Sequence, residues 1–294
     1  IRYLSGFTGS SAYIIVTGTG GVFLTDSRYT AMSRAEVVGF KIKEYSKALD
    51  AVASEVKSRG IKILGFEANH LTYETLASLK KSLAPVRLKP LTGIISKIRA
   101  RKDALELRLI KESVNLLDMG FEAASGLLRS GAIEKDVAWG VESFLRTSGA
   151  DAFAFDPIIA SGPRGALPHG KASDKKIKKG ELVVVDMGVL RNGYNSDETR
   201  TYCIGKAGLK QKKIYEIVKE AQMRAIEKIR PGRAAKDVDA AARGCIEKAG
   251  FARYFGHGTG HGVGLDVHEA PLIGPYGKDV LEEGMVVTIE PGIY

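Results

Sequence analysis

Asp186, Asp197, His261 and Glu290 are the residues of this chain whose types and intervals can do chemistry together. Asp186 closes the apolar run ELVVVDMG, and Asp197 follows eleven residues later in GYNSDETRTY. His261 sits in the glycine-rich stretch FGHGTGHGVGLDVHEAP, and Glu290 lies in VVTIEPGIY. Two aspartates and a glutamate offer hard oxygen ligands, and the histidine adds one imidazole. That donor set suits Mn, Co or Zn in a hydrolase; a structural zinc would draw on thiolates. Three carboxylates beside one histidine point to two metals, because one divalent ion does not need that much negative charge.

Each residue has a plainer reading. Alone, Asp186 is a strand-terminal aspartate that starts a turn. ELVVVDMG, however, reads as a buried strand, where a carboxylate needs a partner to stay ionised. A hairpin through Arg191, Asn192 and Gly193 brings Asp197 back beside it, on an adjacent strand. His261 alone is a histidine in a flexible loop. Its neighbours Gly258, Gly260, Gly262 and Gly264 instead permit close backbone approach to a site. They do not spell GxGxxG, so no dinucleotide fold is indicated. No GxSxG elbow is present either.

These residues need elements to position them. AYIIVTG, GVFLTD, FKIKEY, IKILGFE and PVRLKPL have the β-branched, apolar character of strands. Helical spacing runs from Lys47 to Arg59 and from Tyr73 to Leu83. The first part is therefore an α/β domain. Asp103 then caps a long helix, with Leu105, Leu109, Leu116, Met119 and Ala123 recurring as its apolar stripe. A second helix spans Glu134 to Thr147 and stops before Gly149. Residues 129–149 align without gaps on residues 230–250, an offset of 101, with six of 21 positions identical. In each copy a long amphipathic helix precedes the aligned segment. The pattern is either a starting signal shared by two capped helices or an old duplication, and a cleft between two duplicated halves is where sites commonly form.

Composition bounds the rest. Apolar content of 44% and charged content of 27% are those of an ordinary globular protein. No run of eighteen apolar residues is present, so no membrane span is expected. The net charge of +10 raises the question of nucleic acid. The lysines of the cluster Lys171, Lys175, Lys176, Lys178 and Lys179, and of Lys210, Lys212 and Lys213, are not interleaved with aromatics. They read as a solvated face. Cys203 and Cys245 lack metal-ligand spacing and read as unpaired thiols, which fits a reducing cytoplasm.

Four strings in order resemble the "pita-bread" metallopeptidases: IIASGPRGALPHG, VVVDMGVLRNGYNSDETRTY, FGHGTGHGVGLDVHEAP and GMVVTIEPGIY. That family includes prolidase, aminopeptidase P and methionine aminopeptidase. IRYLSGFTGSSAYIIV, followed by FLTDSRYT, resembles the opening of the smaller domain of the prolidase and aminopeptidase P branch. The resemblance implies an N-terminal α/β domain over 1–92, a linker over 93–102, and an α+β pita-bread catalytic domain over 103–294. That catalytic fold has two halves about a pseudo-twofold axis, in agreement with the repeat.

The resemblance also assigns roles. Asp186 holds one metal, Asp197 bridges two, and His261 with Glu290 holds the other. His169 and His268 contact the substrate and steady the tetrahedral intermediate, while His257 lines the pocket. Four of the five histidines thus fall in these strings; His70 reads as a surface residue. Two divalent ions, Mn first and Co or Zn as alternatives, activate a bridging water that attacks the scissile carbonyl. Glu290 takes the water's proton and passes it to the leaving amine. The expected activity is hydrolysis of the Xaa-Pro bond in dipeptides or at peptide N-termini, by a cytoplasmic homodimer with no nucleic-acid or membrane partner. A methionine aminopeptidase is the alternative enzyme, and a non-catalytic peptide-binding relative the alternative outside enzymes. A fifth ligand, a glutamate in a strand beyond Tyr294, is expected in a longer polypeptide.

Overall fold

Val22, Phe23 and Leu24 have almost no exposure. They mark the core of the first of two compact units in a computed structural model that describes residues 1–294. Unit one spans Ile1–Ile95 and unit two Ser96–Tyr294. In chain order unit one contains α1 (Arg2–Ser5), β1 (Ala12–Thr17), β2 (Gly20–Asp26), α2 (Thr30–Glu36) and β3 (Lys41–Tyr45). α3 (Ala48–Ser58), β4 (Ile63–Glu67), α4 (Tyr73–Leu83) and β5 (Arg87–Leu91) follow. β1 pairs antiparallel with β2, β3 lies parallel to β2, and β4 and β5 form a separate parallel pair. Val52 and Val56 of α3 and Leu79 and Leu83 of α4 bury against Ile15, Val22 and Leu24. All five expected strands and both expected helices form.

The stretch read as a linker is not extended. Ile94–Ala100 forms a helix, α5. Only Gly93, with φ 70°, breaks the chain before it. Unit two continues with α6 (Ala104–Leu127) and α7 (Glu134–Thr147). Asp103 caps α6 as expected: Glu106 N–H donates to Asp103 Oδ1, and Glu106 Oε2 accepts the Asp103 N–H, each at 2.9 Å. The buried face of α6 differs from the expected stripe. It runs through Glu106, Ile110, Ser113, Leu116, Leu117, Gly120, Phe121 and Ala124; of the expected stripe Leu116 is buried, whereas Leu105 is 53% and Met119 44% exposed. The face carries polar residues with partners: the Ser113 hydroxyl donates to Val189 O at 2.8 Å, and Tyr194 donates to Glu106 Oε1 at 3.0 Å. Counting apolar residues alone therefore placed Leu116 correctly but put Leu105 and Met119 on the wrong side.

Strands β6 (Ala152–Phe153), β7 (Ile158–Ser161), β8 (Leu182–Met187), β9 (Val189–Arg191), β10 (Tyr194–Asn195) and β11 (Glu198–Cys203) complete the first half of unit two. β8 lies between β7 and β11, both antiparallel to it. β9 lies between β6 and β10. The β9–β10 hairpin turns at Asn192 (φ 51°) and Gly193 (φ 83°), the left-handed pair that a two-residue hairpin requires. The second half brings α8 (Leu209–Lys228), α9 (Ala235–Lys248), β12 (Gly260–Gly262) and β13 (Glu269–Ile273).

The repeat survives in three dimensions. The offset of 101 carries the end of α6 onto the end of α8, and both bounds of α7 onto those of α9. It also carries the hydrogen bonds that precede the second helix. Gly131 N–H donates to Ile177 O, as Gly232 N–H donates to Leu281 O, each at 2.8 Å. Ile177 N–H donates to Ala132 O, as Leu281 N–H donates to Arg233 O, again at 2.8 Å. Each half has its own core, around Leu117, Val141, Leu145, Val183 and Val185 in one and Val238, Ala242, Ile246 and Ile273 in the other.

Leu117→Ala removes a fully buried side chain and should destabilise by about 2–5 kcal/mol. Leu105→Ala should stay within about 0.5 kcal/mol. Denaturation followed by circular dichroism checks both, and the reverse order would restore the expected stripe.

Candidate metal centre

β8 alternates. Val183, Val185 and Met187 are buried among the helices, while Val184 and Asp186 face the other way and are half-buried. β11 aligns Asp186 opposite Thr199 and Met187 opposite Glu198. Asp197 precedes Thr199 by two, so it lies on the same face as Asp186 but diagonal to it. The two carboxylates were expected beside each other on adjacent strands, and the Asp197 charge does act on Asp186. The Thr199 hydroxyl donates to Asp186 Oδ1 at 3.0 Å and fixes that carboxylate's rotation.

His261 comes from β12, where glycine is a packing requirement. A Cβ at Gly260 would meet Thr288 O, and one at Gly262 would meet Ala270 O. An extended segment bearing Glu290 lies along β12: Thr288 N–H donates to His261 O and Glu290 N–H to Thr259 O, each at 2.8 Å. Asn195, buried, joins the halves. Its N–H and Nδ2 both donate to Gly264 O, at 2.8 and 3.0 Å.

These contacts bring four distant residues together. His261 Nε2 lies 3.0 Å from Glu290 Oε1 and 3.4 Å from Asp197 Oδ2. His261 Nδ1 donates to Gly262 O at 3.0 Å, so Nε2 donates to the carboxylates when protonated and is the nitrogen that would face a metal. The Thr288 hydroxyl donates to Glu290 Oε1 at 2.8 Å. His268 packs on His261 with ring centroids 4.2 Å apart. Asp197, His261 and His268 each bring a ligand atom within 4.8 Å of the other two. His268, which the resemblance gave to the substrate, is thus also within reach of a metal.

The electrostatics are those of a site missing positive charge. Burial, then the Asp197 charge, push the Asp186 carboxyl up to about 7. Burial pulls the His261 imidazolium down, but hydrogen bonds to Asp197, Glu290 and Gly262 outweigh it and raise the value to about 10. Burial raises Glu290, yet His261 and Thr288 hold it below the usual carboxylate range. Burial and the charge of His261 lower His268. Tyr294, raised to about 12 by burial and then by Glu290 and Asp186, reaches the same cluster. A proton on His261 stands where the donor set would otherwise hold a cation, so the residues present fit divalent metal ions.

The other histidines are placed less tightly. His257 Nδ1 is 2.7 Å from Gly258 O, its ring packs edge-on between Phe255 and Tyr294, and its buried Nε2 has no partner. His169 is exposed and close enough to His268 for its charge to be felt there. His70 is exposed. Lys175 departs from the solvated face: its Nζ donates to Glu181 Oε2 at 2.6 Å and to the Ser161 hydroxyl at 2.7 Å. Thr199, Thr288, Asn195 and Tyr294 were missed in the sequence. Tyr294 lies inside the Glu290 string and Asn195 two residues before Asp197, so proximity to a ligand was the available signal.

Residues 108–294 match Metallopeptidase family M24, and residues 1–101 match the Creatinase/Prolidase N-terminal domain. The chain belongs to metallopeptidase family M24. Among relatives in this family, an Xaa-Pro dipeptidase of Pyrococcus horikoshii is 42% identical over 300 residues, covering 100% of this chain and 83% of that protein. The structure of an Xaa-Pro dipeptidase from Bacillus anthracis superposes with TM-score 0.96 at 40% identity, covering 100% of this chain and 82% of that one. An X-Pro aminopeptidase from Thermotoga maritima gives TM-score 0.91 at 35% identity, covering 100% and 84%. The α/β and pita-bread architecture is thus the family's. No helix is long and apolar enough to cross a membrane.

Metal uptake in this M24 chain should displace the His261 proton. The folded-state value lies above the ordinary 6.5, so this proton adds stability below pH 6.5, and the contribution fades as pH rises toward 10. At pH 8, Mn(II) binding should release about one proton, read by calorimetry in buffers of different ionisation enthalpy. Uptake with no proton release would contradict the assignment.

Proposed function

We propose that this chain is a metal-dependent peptidase that hydrolyses the bond before proline, in dipeptides or at peptide N-termini. The observation that carries the reading is the convergence of Asp197 and Glu290 on His261 Nε2, with Asp186 on the same face. Similarity to an Xaa-Pro dipeptidase and an X-Pro aminopeptidase over the full chain supports the choice of substrate class. Asp186, Asp197, His261 and Glu290 would hold two divalent ions, with Mn the first choice for an oxygen-rich set and Co or Zn next. When bound, the ions supply Lewis acidity and a nucleophile at neutral pH.

The chain's own residues do the rest. Thr199 and Thr288 fix the rotations of Asp186 and Glu290 by donating to one oxygen of each. Glu290 takes the proton of the attacking water and returns it to the leaving amine. His268 and His169 donate hydrogen bonds to the substrate carbonyl as charge develops on its oxygen. His257 lines the pocket with a buried Nε2 that no protein group occupies. In this reading a metal-activated water is the nucleophile, and no serine or cysteine nucleophile is required.

The two cysteines are free and half-buried, which suits a reducing compartment such as the cytoplasm. A homodimer is part of this reading and rests on the resemblance of the N-terminal unit. Light scattering at micromolar concentration should give twice the monomer mass; monomer alone would count against it.

Chelation should abolish cleavage of Ala-Pro, Met-Pro and a Gly-Pro-Ala tripeptide, and Mn or Co should restore it. Glu290→Gln keeps an oxygen for Thr288 but loses the base, and should lower kcat by about 10²–10⁴-fold. Full activity after exhaustive chelation would overturn the metal dependence. Faster cleavage of Met-Ala-Ser than of any Xaa-Pro peptide would move the assignment to a methionine aminopeptidase.

A further inference from the structure

The two most deeply buried carboxylates in unit two lie outside the metal centre, and the function above uses neither. Asp239 is 1% exposed and Glu134 is fully buried. They sit on α9 and α7, the two helices that the repeat superposes. A carboxylate is tolerated in such a place only where donors surround it. In both cases the donors come from a loop that carries a histidine of the site.

Asp239 Oδ1 accepts hydrogen bonds from the Thr259 N–H at 3.1 Å and the Thr259 hydroxyl at 2.8 Å. Arg243, one turn along α9, donates Nε to Asp239 Oδ2 and Nη2 to Asp239 Oδ1, each at 2.8 Å. The same guanidinium donates to Phe255 O at 3.0 Å and to His257 O at 2.7 Å, and lies 4.3 Å from the centre of the Phe255 ring. Thr259 O accepts the Glu290 N–H at 2.8 Å, and Thr259 stands two residues before His261. The contacts that start at Asp239 therefore reach the Glu290 backbone directly and fix the chain two residues before His261.

Glu134 is built from the same parts but aims elsewhere. It accepts from the N–H and hydroxyl of Ser161 at 2.8 and 2.7 Å, and from those of Ser173 at 3.1 and 2.6 Å. Arg164 Nε donates to it at 3.0 Å. These donors bracket the loop that carries His169, and no proposed ligand lies between them. The offset of 101 puts Ala235 opposite Glu134, so Asp239 sits one turn further along its helix. Ala235, Val238, Ala242 and Ile246 supply the apolar burial of α9, and Asp239 adds none to it.

We propose that the Asp239–Arg243 pair is a positioning device for the metal centre, which sets His261 against Glu290 by clamping Thr259 and the carbonyls before it. The proposal rests on the reading of Asp186, Asp197, His261 and Glu290 as ligands. Glu134 is its built-in control, a carboxylate as buried and as heavily hydrogen-bonded whose loop holds no ligand. A merely structural role predicts that losing either carboxylate has the same consequences. A positioning role predicts that they separate.

The experiment is a calorimetric titration of the full chain with Mn(II), for wild type, Asp239→Asn, Thr259→Val and Glu134→Gln, with thermal denaturation of each metal-free protein. Asp239→Asn should weaken Mn(II) binding by about 10–100-fold, the range seen when partners of metal ligands are removed. Thr259→Val keeps shape and N–H and should weaken it by a smaller factor, about fivefold, on the same ground. Glu134→Gln should lower the melting temperature as Asp239→Asn does, yet leave Mn(II) affinity within about twofold. Wild-type affinity in both Asp239→Asn and Thr259→Val, or an equal loss in Glu134→Gln, would overturn the proposal. If Asp239→Asn does not fold, Thr259→Val decides alone. Absence of Mn(II) binding by the wild type would instead remove the ligand reading, and this proposal with it.

Discussion

Like charges crowded around one imidazole set the terms for the rest of unit two. Asp186, Asp197 and Glu290 share a half-buried cleft, and burial first, then the Asp197 charge, push the Asp186 carboxyl up to about 7. Two like charges about 4 Å apart repel by about 4 kcal/mol at an effective dielectric constant near 20. The chain has to hold its carboxylates against that force. It does so with regular structure on one side, where β8 is pinned between β7 and β11. On the other side it uses close backbone contact, where Gly260 and Gly262 let neighbouring carbonyls approach β12. The fold thus stores a need for positive charge, and a proton on His261 meets part of it.

The duplication explains how one chain builds such a place. Each half supplies a long helix, a second helix and a loop locked to that helix's start by the same hydrogen bonds. Each half brings acid to the cleft: Asp186 and Asp197 from the first, Glu290 from the second, along with His261. Asn195 ties Gly264 to the β10 end next to Asp197, so the halves meet beside the ligands and not far from them. The halves have since diverged where function differs. One helix keeps its buried carboxylate at its first turn to hold the His169 loop; the other carries it a turn later to hold the loop of His257 and His261.

Much of this was legible in the sequence, because a few residues speak for themselves. Asp103 followed by Glu106 spells a capping box, and it caps α6. Asn192-Gly193 spells a hairpin, and it turns one. The four ligand candidates were legible by type and by resemblance. What stayed hidden depends on partners that are distant in sequence. Glu106 and Ser113 are buried on α6 because Tyr194 and Val189 meet them, so an apolar count chose Leu105 and Met119 wrongly. Thr199 and Thr288 look like ordinary strand threonines until the carboxylates they orient are in place. The stretch before Ala100 reads as a linker from its one glycine and the basic residues after it; what the sequence does not show is that Arg99 reaches Asp266 and Glu269, and Lys102 reaches Glu269.

Anomalous diffraction from crystals grown with Mn(II) shows whether the carboxylates around His261 bind metal. Strong anomalous density is expected among Asp197 and Glu290 oxygens and His261 Nε2, at about 2.0–2.3 Å from its ligands, with Asp186 on a neighbouring peak. Manganese bound elsewhere, or none beside His261 while the protein cleaves its peptide in the same solution, would contradict a metal-binding centre there.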